Sequence, residues 1–384
     1  MELYEAELPL ILASRGIHPR LPDDFSNLMA EIETEEDLGN KFMRMFFVLQ
    51  SCGMDEFAQE IQHKALAHRH VFRLLKPANP AIRLLAIVGP GNMADNAPLD
   101  FVLFNQNVQL DFFYVTGMPD VWDRVPDHDV AILGLSESAK NTALLLEIES
   151  QRKNWPRPFL NNTPSVMNCA RDKLYQLLKD IPGLVQPKNK KLAHADVHAE
   201  PLPFLIRPID THAGDGFEKI ETATSLDRYL SENHEPYYYV SDYIDCSKED
   251  GLFRKFRIAL IDKKPYVCHL AISEHWIVHY LSARMDIEPA KRDEEEKFFQ
   301  EFESVFLQKH GACFAHIAEK INLDYVILDC AETKDGKLVL FEADNAAWIH
   351  DLDSPEVYPY KQATMAHAFS AFTRMLQKAV TSRK

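Results

Sequence analysis

The chain has 384 residues, room for two or three domains and a sizeable core, and its 46% hydrophobic and 26% charged residues exclude a disordered chain. With 42 basic against 58 acidic residues, a formal charge of -16, it lacks the basic footprint that general binding to nucleic acid or an anionic membrane needs, although a local basic pocket is compatible with it. No apolar run approaches the roughly 20 residues of a membrane span, and MELYEAELPL lacks the basic-then-apolar order of a secretory signal, so a cytoplasmic location is expected. Cys52, Cys169, Cys246, Cys268, Cys313 and Cys330 are scattered without a CxxC pair, which fits reduced thiols better than a disulfide framework or a zinc site.

Residues 1–80 read as a helical region, in which LGNKFMRMFFVLQSC, a break at Gly53 and DEFAQEIQHKALAHRHVFRLL form a helical hairpin. The hairpin resembles one degenerate tetratricopeptide unit, which cannot bury its own faces and is expected to pack on the next domain or on a partner. From residue 82 the period changes to that of strands. RLLAIVGPGN, VQLDFFYVT and HDVAILGL, followed by the helical SAKNTALLLEIESQRKN, predict a small α/β domain over 81–160. GPGN lacks the third glycine and the spacing of a dinucleotide fingerprint and reads better as a turn lining a cleft. FLNNTPSVMNCARDKLYQLLKDIPG is a turn leading into an amphipathic helix, and His194, Asp196 and His198 of HADVH belong to a solvated loop more readily than to a metal site.

FLIRPIDTHAGDGFEKI is a strand, a glycine-containing loop and a returning strand. Gly214 and Gly216 let backbone N–H groups approach anionic oxygens, and Arg207 and Lys219 supply positive charge, so the hairpin is a candidate phosphate cradle without a Walker sequence. Two strands joined by a DKK turn follow in FRKFRIALIDKKPYVCHLAI. There Arg257 is costly unless it faces a cleft or an anion. Beyond SEHWIVHYLSARM and a long helical pattern comes LDYVILDCAETKDGKLVLFEADNAA, where Asp335 and Gly336 offer a hairpin turn. Glu342 and Asp344, two apart in a strand, share a face, and the hairpin brings Asp329 alongside. Three unpaired carboxylates would repel one another, which argues for a hard cation such as Mg²⁺; the alternative is a solvated hairpin with ordinary surface acids.

In this order the motifs resemble those of the ATP-grasp superfamily of carboxylate-amine ligases, which includes D-alanine:D-alanine ligase, glutathione synthetase and the enzymes that ligate glutamate to ribosomal protein. The resemblance covers roughly residues 82–380. It implies an α/β (α+β) ATP-grasp fold: an N-terminal α/β domain, a central lid over 161–242 and a C-terminal catalytic domain over 243–384, preceded by the helical region.

The resemblance also implies site residues. Asp329, Glu342 and Asp344 would hold Mg²⁺, two ions with Mn²⁺ able to substitute, and Asn345 would be the neutral ligand if the strand were shifted by one. Lys173 of ARDKLYQLL and Arg207 would contact phosphates, beside Gly214, Gly216 and Lys219. The backbone of Asp242, Tyr243 and Ile244 in YVSDYID would read adenine, with Tyr243 packed on the ring. Arg257 would steady an acylphosphate, and His275, Trp276, His279 and Arg284 would lie on the acceptor side. Three positions depart from the family's pattern: Arg207 stands for a lysine, Ser241 for a hinge glutamate, and Asp344 for the more frequent asparagine.

The implied reaction joins a small carboxylate to an amine, amino acids or peptides among them, with ATP becoming ADP and phosphate. A small-molecule kinase on the same fold and a non-catalytic nucleotide-binding scaffold are the alternatives, and homo-oligomerisation is left open.

Overall fold

The chain is described by a computed structural model covering residues 4–5, 32–209 and 216–382. Helix α1 (Leu38–Ser51) starts where the Asp37 carboxylate accepts from the Asn40 N–H at 2.8 Å, and Gly53, at φ +71°, turns the chain into α2 (Asp55–His68). The hairpin buries Met43, Phe46, Phe47, Ala58, Ile61 and Ala65 in one core with the sheet beside it. Its packing partner is therefore the next unit of the same chain. Residues 1–3 and 6–31 of the expected helical region lie outside the described residues, and its last part, Val71–Leu75, is a strand rather than the expected helix.

Six strands form that first sheet in the order β1-β2-β4-β3-β5-β6: β1 (Tyr4–Glu5), β2 (Val71–Leu75), β3 (Ile82–Val88), β4 (Val108–Tyr114), β5 (Val130–Leu133) and β6 (Phe159–Leu160). β3 runs parallel to both β4 and β5, and its buried run of Leu84 to Val88 is what a strand covered on both faces requires. Helices α3 (Leu99–Leu103) and α4 (Thr142–Arg152) complete the unit. The GPGN turn after β3 is closed by its own neighbours. The Asn96 side chain takes the Gly89 N–H and donates to the Gly89 carbonyl, both at 2.9 Å, and the Asp95 carboxylate accepts from Asn92 N–H at 2.7 Å. It is a braced loop, as its missing third glycine suggested.

Asn161, at φ +55°, ties this sheet to the C-terminal one. Its side-chain oxygen accepts from the N–H groups of Asp324 (2.9 Å) and Tyr325 (3.0 Å), and its amide donates to the Tyr325 carbonyl (2.9 Å). Helices α5 (Thr163–Met167) and α6 (Arg171–Leu178) follow, with Leu174 and Leu178 of α6 buried in the C-terminal core, and then the short β7 (Leu184–Val185).

A small four-stranded sheet comes next, in the order β10-β9-β11-β8, from β8 (Lys190–Ala193), β9 (Phe204–Pro208), β10 (Glu218–Ile220) and β11 (Tyr237–Ser241). Helix α7 (Ala223–Glu232) covers one face and encloses a core of its own from Phe204, Ile206, Ile220, Leu226, Tyr229, Tyr238 and Val240.

The C-terminal sheet has the order β13-β12-β14-β15-β7, built from β12 (Phe253–Ile261), β13 (Lys264–Ser273), β14 (Tyr325–Glu332) and β15 (Leu338–Asp344). Asp262 and Lys263, both at positive φ, form the predicted tight turn between β12 and β13. One face packs on α8 (Pro289–Glu301), a π-helical turn at Phe302–Phe306 and α9 (Leu307–Ile321), burying Ile258, Leu328, Phe314 and Ile317. On the other face Ala259, Ile261, Tyr325 and Ile327 meet Phe369 and Phe372 of α10 (Lys361–Thr381). The architecture is α/β throughout. No helix among the described residues is long and apolar enough to cross a membrane, and none of the six cysteines is in a disulfide.

At the end of β14 the Glu332 carboxylate lies 2.6 Å from Lys309 Nζ, 2.8 Å from His310 Nε2 and 3.2 Å from Lys248 Nζ. Burial would raise its pKa, but His310 and Lys309 overcome that and hold it down at about 2, against an ordinary 4.5. A depressed carboxylate stabilises the fold fully above its unfolded pKa and loses that contribution as pH falls through the folded one. The stability gap between the parent and Glu332→Gln is therefore expected to be constant above pH ~5 and to shrink between pH ~4.5 and ~2, read from urea midpoints across that range.

Candidate active site

Antiparallel pairing sets four polar side chains directly opposite one another across the C-terminal sheet. His269 of β13 faces Arg257 of β12, Arg257 faces Asp329 of β14, and Asp329 faces Glu342 of β15. Directly opposed residues share a face with Cβ atoms about 5 Å apart, so this is a continuous polar row, and the two-residue period adds Lys255 and Asp344 to it.

Asp329 is the hub. Arg257 grips it as a fork, Nε to Oδ1 at 2.8 Å and Nη2 to Oδ2 at 2.9 Å, and Lys255 Nζ meets Oδ2 at 3.1 Å. Burial pushes the Asp329 carboxyl up, yet the charges of Arg257 and Lys255 reverse this and hold it well below the usual carboxylate range. The same pairing outweighs burial at Arg257 and raises its pKa. Arg257 Nη1 also donates to the Trp348 carbonyl at 2.8 Å. These three bonds use three of the five N–H donors of a guanidinium. Glu342 accepts from Arg171 Nη2 at 2.6 Å, and Asp344 Oδ1 takes the Ala346 N–H at 2.8 Å.

Two of the carboxylates are thus paired with cations of the chain, Asp329 with Arg257 and Lys255, and Glu342 with Arg171. Among the described residues no three His, Cys, Asp or Glu side chains gather as ligands of one ion. Asp329, Glu342 and Asp344 stand along one row, with Asp329 and Glu342 paired to cations of the chain. Two of the three acids, Asp329 and Glu342, are therefore not unpaired, since Arg257, Lys255 and Arg171 supply their counter-charge.

The expected phosphate lysine lies on another side of α6 from the row. Lys173 is exposed, while Arg171, two residues earlier and about 200° away around the helix, faces the carboxylates. Helical phase is the signal that points Arg171 toward the row. Its neighbour Asp172 accepts from the Tyr239 hydroxyl at 3.4 Å, so the start of α6 touches both the small sheet and the polar row.

On the small sheet, pairing places Arg207 opposite Tyr239, and Lys219 opposite Leu205, on the face away from α7. Arg207 is buried, its guanidinium 5.6 Å from the centre of the Phe217 ring. Lys219 lies 4.3 Å above the Tyr243 ring and 2.7 Å from Glu221, which raises its pKa. Gly216, at φ +60°, could not carry a side chain, since a Cβ there would stand 2.7 Å from the Pro208 ring. Gly214 lies outside the described residues. In the link after β11, Asp242 is exposed, and Ile244 packs on Cys246, Ala331 and Val339.

The acceptor-side candidates divide. His279 is half-buried near the row, its pKa lowered by burial and then by Lys255 and Arg257. Trp276 stands at the small sheet, with Phe217 and Tyr243. His275 is exposed, and Arg284 is a solvent-facing partner of Glu288 at 3.6 Å. The Asn345 amide donates to the carbonyls of Leu133 (3.4 Å) and Leu135 (3.1 Å), while its buried side-chain oxygen has no hydrogen-bond partner among the described residues.

His269, which the sequence reading passed over, has its pKa driven far down by burial and by Arg257, and its ring stacks on Tyr280 at 4.8 Å. Behind Tyr280 the buried Lys361 meets Asp353 at 2.8 Å and Glu295 at 3.4 Å and lies over the rings of Tyr280 and Tyr358. This group anchors the segment after β13 to α8 and α10.

No protein-family profile matches the sequence, and no curated protein matches it. Solved structures do resemble it. The VanG D-Ala:D-Ser ligase of Enterococcus faecalis is 13% identical, with 77% of this chain and 99% of that one covered at a TM-score of 0.47. The D-alanine–D-alanine ligase of Bacillus anthracis is 15% identical, with 79% and 98% covered at 0.47. An ATP-grasp RimK domain protein of Sphaerobacter thermophilus is 12% identical, with 77% and 99% covered at 0.43. Likenesses at these scores carry no argument about activity, which rests on the residues themselves.

Neutralising Asp329 would take from Arg257 and Lys255 their carboxylate in a largely desolvated place. Asp329→Asn is therefore expected to cost about 3 kcal/mol or more, and the double variant Arg257→Met, Asp329→Leu to recover part of that loss, Lys255 still lacking its carboxylate. Equilibrium urea denaturation of the three proteins measures both effects.

Proposed function

We propose that the chain is an ATP-dependent carboxylate-amine ligase of ATP-grasp type. The observation that carries this reading is the polar row with Arg257 at its centre, together with the cationic face of the small sheet, both touched by the start of α6. A face of matched charges inside an otherwise apolar sheet is expensive as mere structure. It suits a reaction in which anionic charge passes between groups.

The reaction so proposed has two displacements. A carboxylate oxygen of the substrate attacks the γ-phosphorus of ATP, the bond to the β,γ-bridging oxygen breaks, and ADP leaves with that electron pair. The amine nitrogen of the second substrate then attacks the acyl carbon, phosphate departs from it, and the nitrogen loses a proton to solvent. No covalent enzyme residue is needed. The work of the chain is to position the reactants and balance their charge.

Arg207 and Lys219 take the nucleotide phosphates from the small sheet, and the Asp242–Ile244 link and the Tyr243 ring lie beside the base. Arg257 offers the two N–H donors that remain to it to the oxygens of the acylphosphate, where a planar fork is the matching shape. Arg171 and Lys255 add positive charge on the side of the transferred group. The nucleotide enters as its Mg²⁺ complex, the metal travelling with the substrate. Small carboxylates and amines, amino acids among them, are the proposed partners.

ADP release assayed over paired small acids and amines tests the reading. Phosphate should appear only when both are present, whereas a kinase leaves a stable phosphoester and no free phosphate. Arg257→Lys keeps the charge and loses the fork, so acid-dependent ADP formation should fall at least about a hundredfold while ATP affinity changes by less than about tenfold, ~1.4 kcal/mol. Steady-state kinetics, nucleotide titration and a thermal melt on the same variant provide the comparison.

A further inference from the structure

Three rings meet where the small sheet faces the rest of the protein. The indole of Trp276 lies 5.3 Å from the Phe217 ring, at 64° to it, and 5.8 Å from the Tyr243 ring, at 89°. Phe217 belongs to the β9–β10 hairpin, Tyr243 to the link leaving β11, and Trp276 to the segment after β13 that has neither helix nor strand. Each of the first two rings also carries a cation, Arg207 against Phe217 and Lys219 against Tyr243. The opposite face of this sheet is filled by its own apolar core, so these rings and charges lie outside that core.

We propose that Trp276 is a nucleotide-binding residue, whose indole exchanges its contacts with Phe217 and Tyr243 for the base of a bound nucleoside triphosphate. The inference deepens the ligase reading and rests on its nucleotide. A flat ring joined to a polyanion is the ligand chemistry that fits aromatic surfaces flanked by cations. Edge-to-face ring pairs gain little beyond their burial, so exchanging them for a stacked base costs little. Every base has a π-face, so recognition by an indole tolerates a change of base, whereas the cations recognise only the phosphates.

The test is isothermal titration of the full chain, with Mg²⁺ present, by AMP-PNP, GMP-PNP and inorganic tripolyphosphate. For Trp276→Leu both nucleotides should bind at least about tenfold more weakly, tripolyphosphate should stay within about twofold of the parent, and Trp276→Phe should restore most of the loss. Unchanged nucleotide affinity in Trp276→Leu overturns the proposal, including the case in which only the acceptor KM rises. Equal weakening of nucleotide and tripolyphosphate overturns it too, since the indole would then merely hold the hairpin in place. If the parent binds tripolyphosphate and neither nucleotide, the nucleotide reading itself falls, and the parent titration alone reveals it.

Discussion

A buried carboxylate held between an arginine fork and a lysine is the constraint on which the C-terminal half depends. Asp329 tolerates its position only while β12 lies beside β14 in this register, because a slip of one residue would turn the carboxylate into the apolar layer under α8 and α9. The same register sets Glu342 across from it, and Glu342 draws Arg171, and so the start of α6, to the sheet. One charge pairing thereby orders two strand neighbours and a helix distant in sequence. Its desolvation is the cost of having strong charges where few waters compete, which is the setting in which they act most effectively on a reacting anion.

The small sheet divides its labour by face. Phe204, Ile206, Tyr238 and Val240 point toward α7 and hold the unit together, while Arg207, Lys219 and Tyr239 point the other way. Strand alternation makes both possible from a few residues, since neighbours along each strand serve opposite purposes. The unit encloses an apolar core of its own on one face, which leaves the other face available for polar side chains.

Much of this was legible from the chain. The β14–β15 hairpin shows itself by two apolar runs about Asp335 and Gly336, the β12–β13 pair by its polar turn, and the first sheet by three buried strands. Arg257 stood out because a charge inside FRIAL needs a partner, although the partner is Asp329. What escaped notice depends on phase and on distance in sequence. Arg171 and Lys173 are equally basic, and only the rotation of α6 separates them. The pairing of Asp329 and Glu342 was invisible because the cations come from β12 and α6, and no local pattern joins those segments to β14 and β15. Lys361 and Glu295 look like ordinary helix-surface charges until α8 and α10 close over them.

Asn161 carries a consequence of another kind. Its left-handed backbone favours glycine, asparagine or aspartate, and its side chain must both accept two N–H bonds and donate one. Glycine meets the first demand only, and aspartate lacks the donor. Selection would therefore keep one residue type at this position for joinery alone, and invariance there across relatives would say nothing about chemistry.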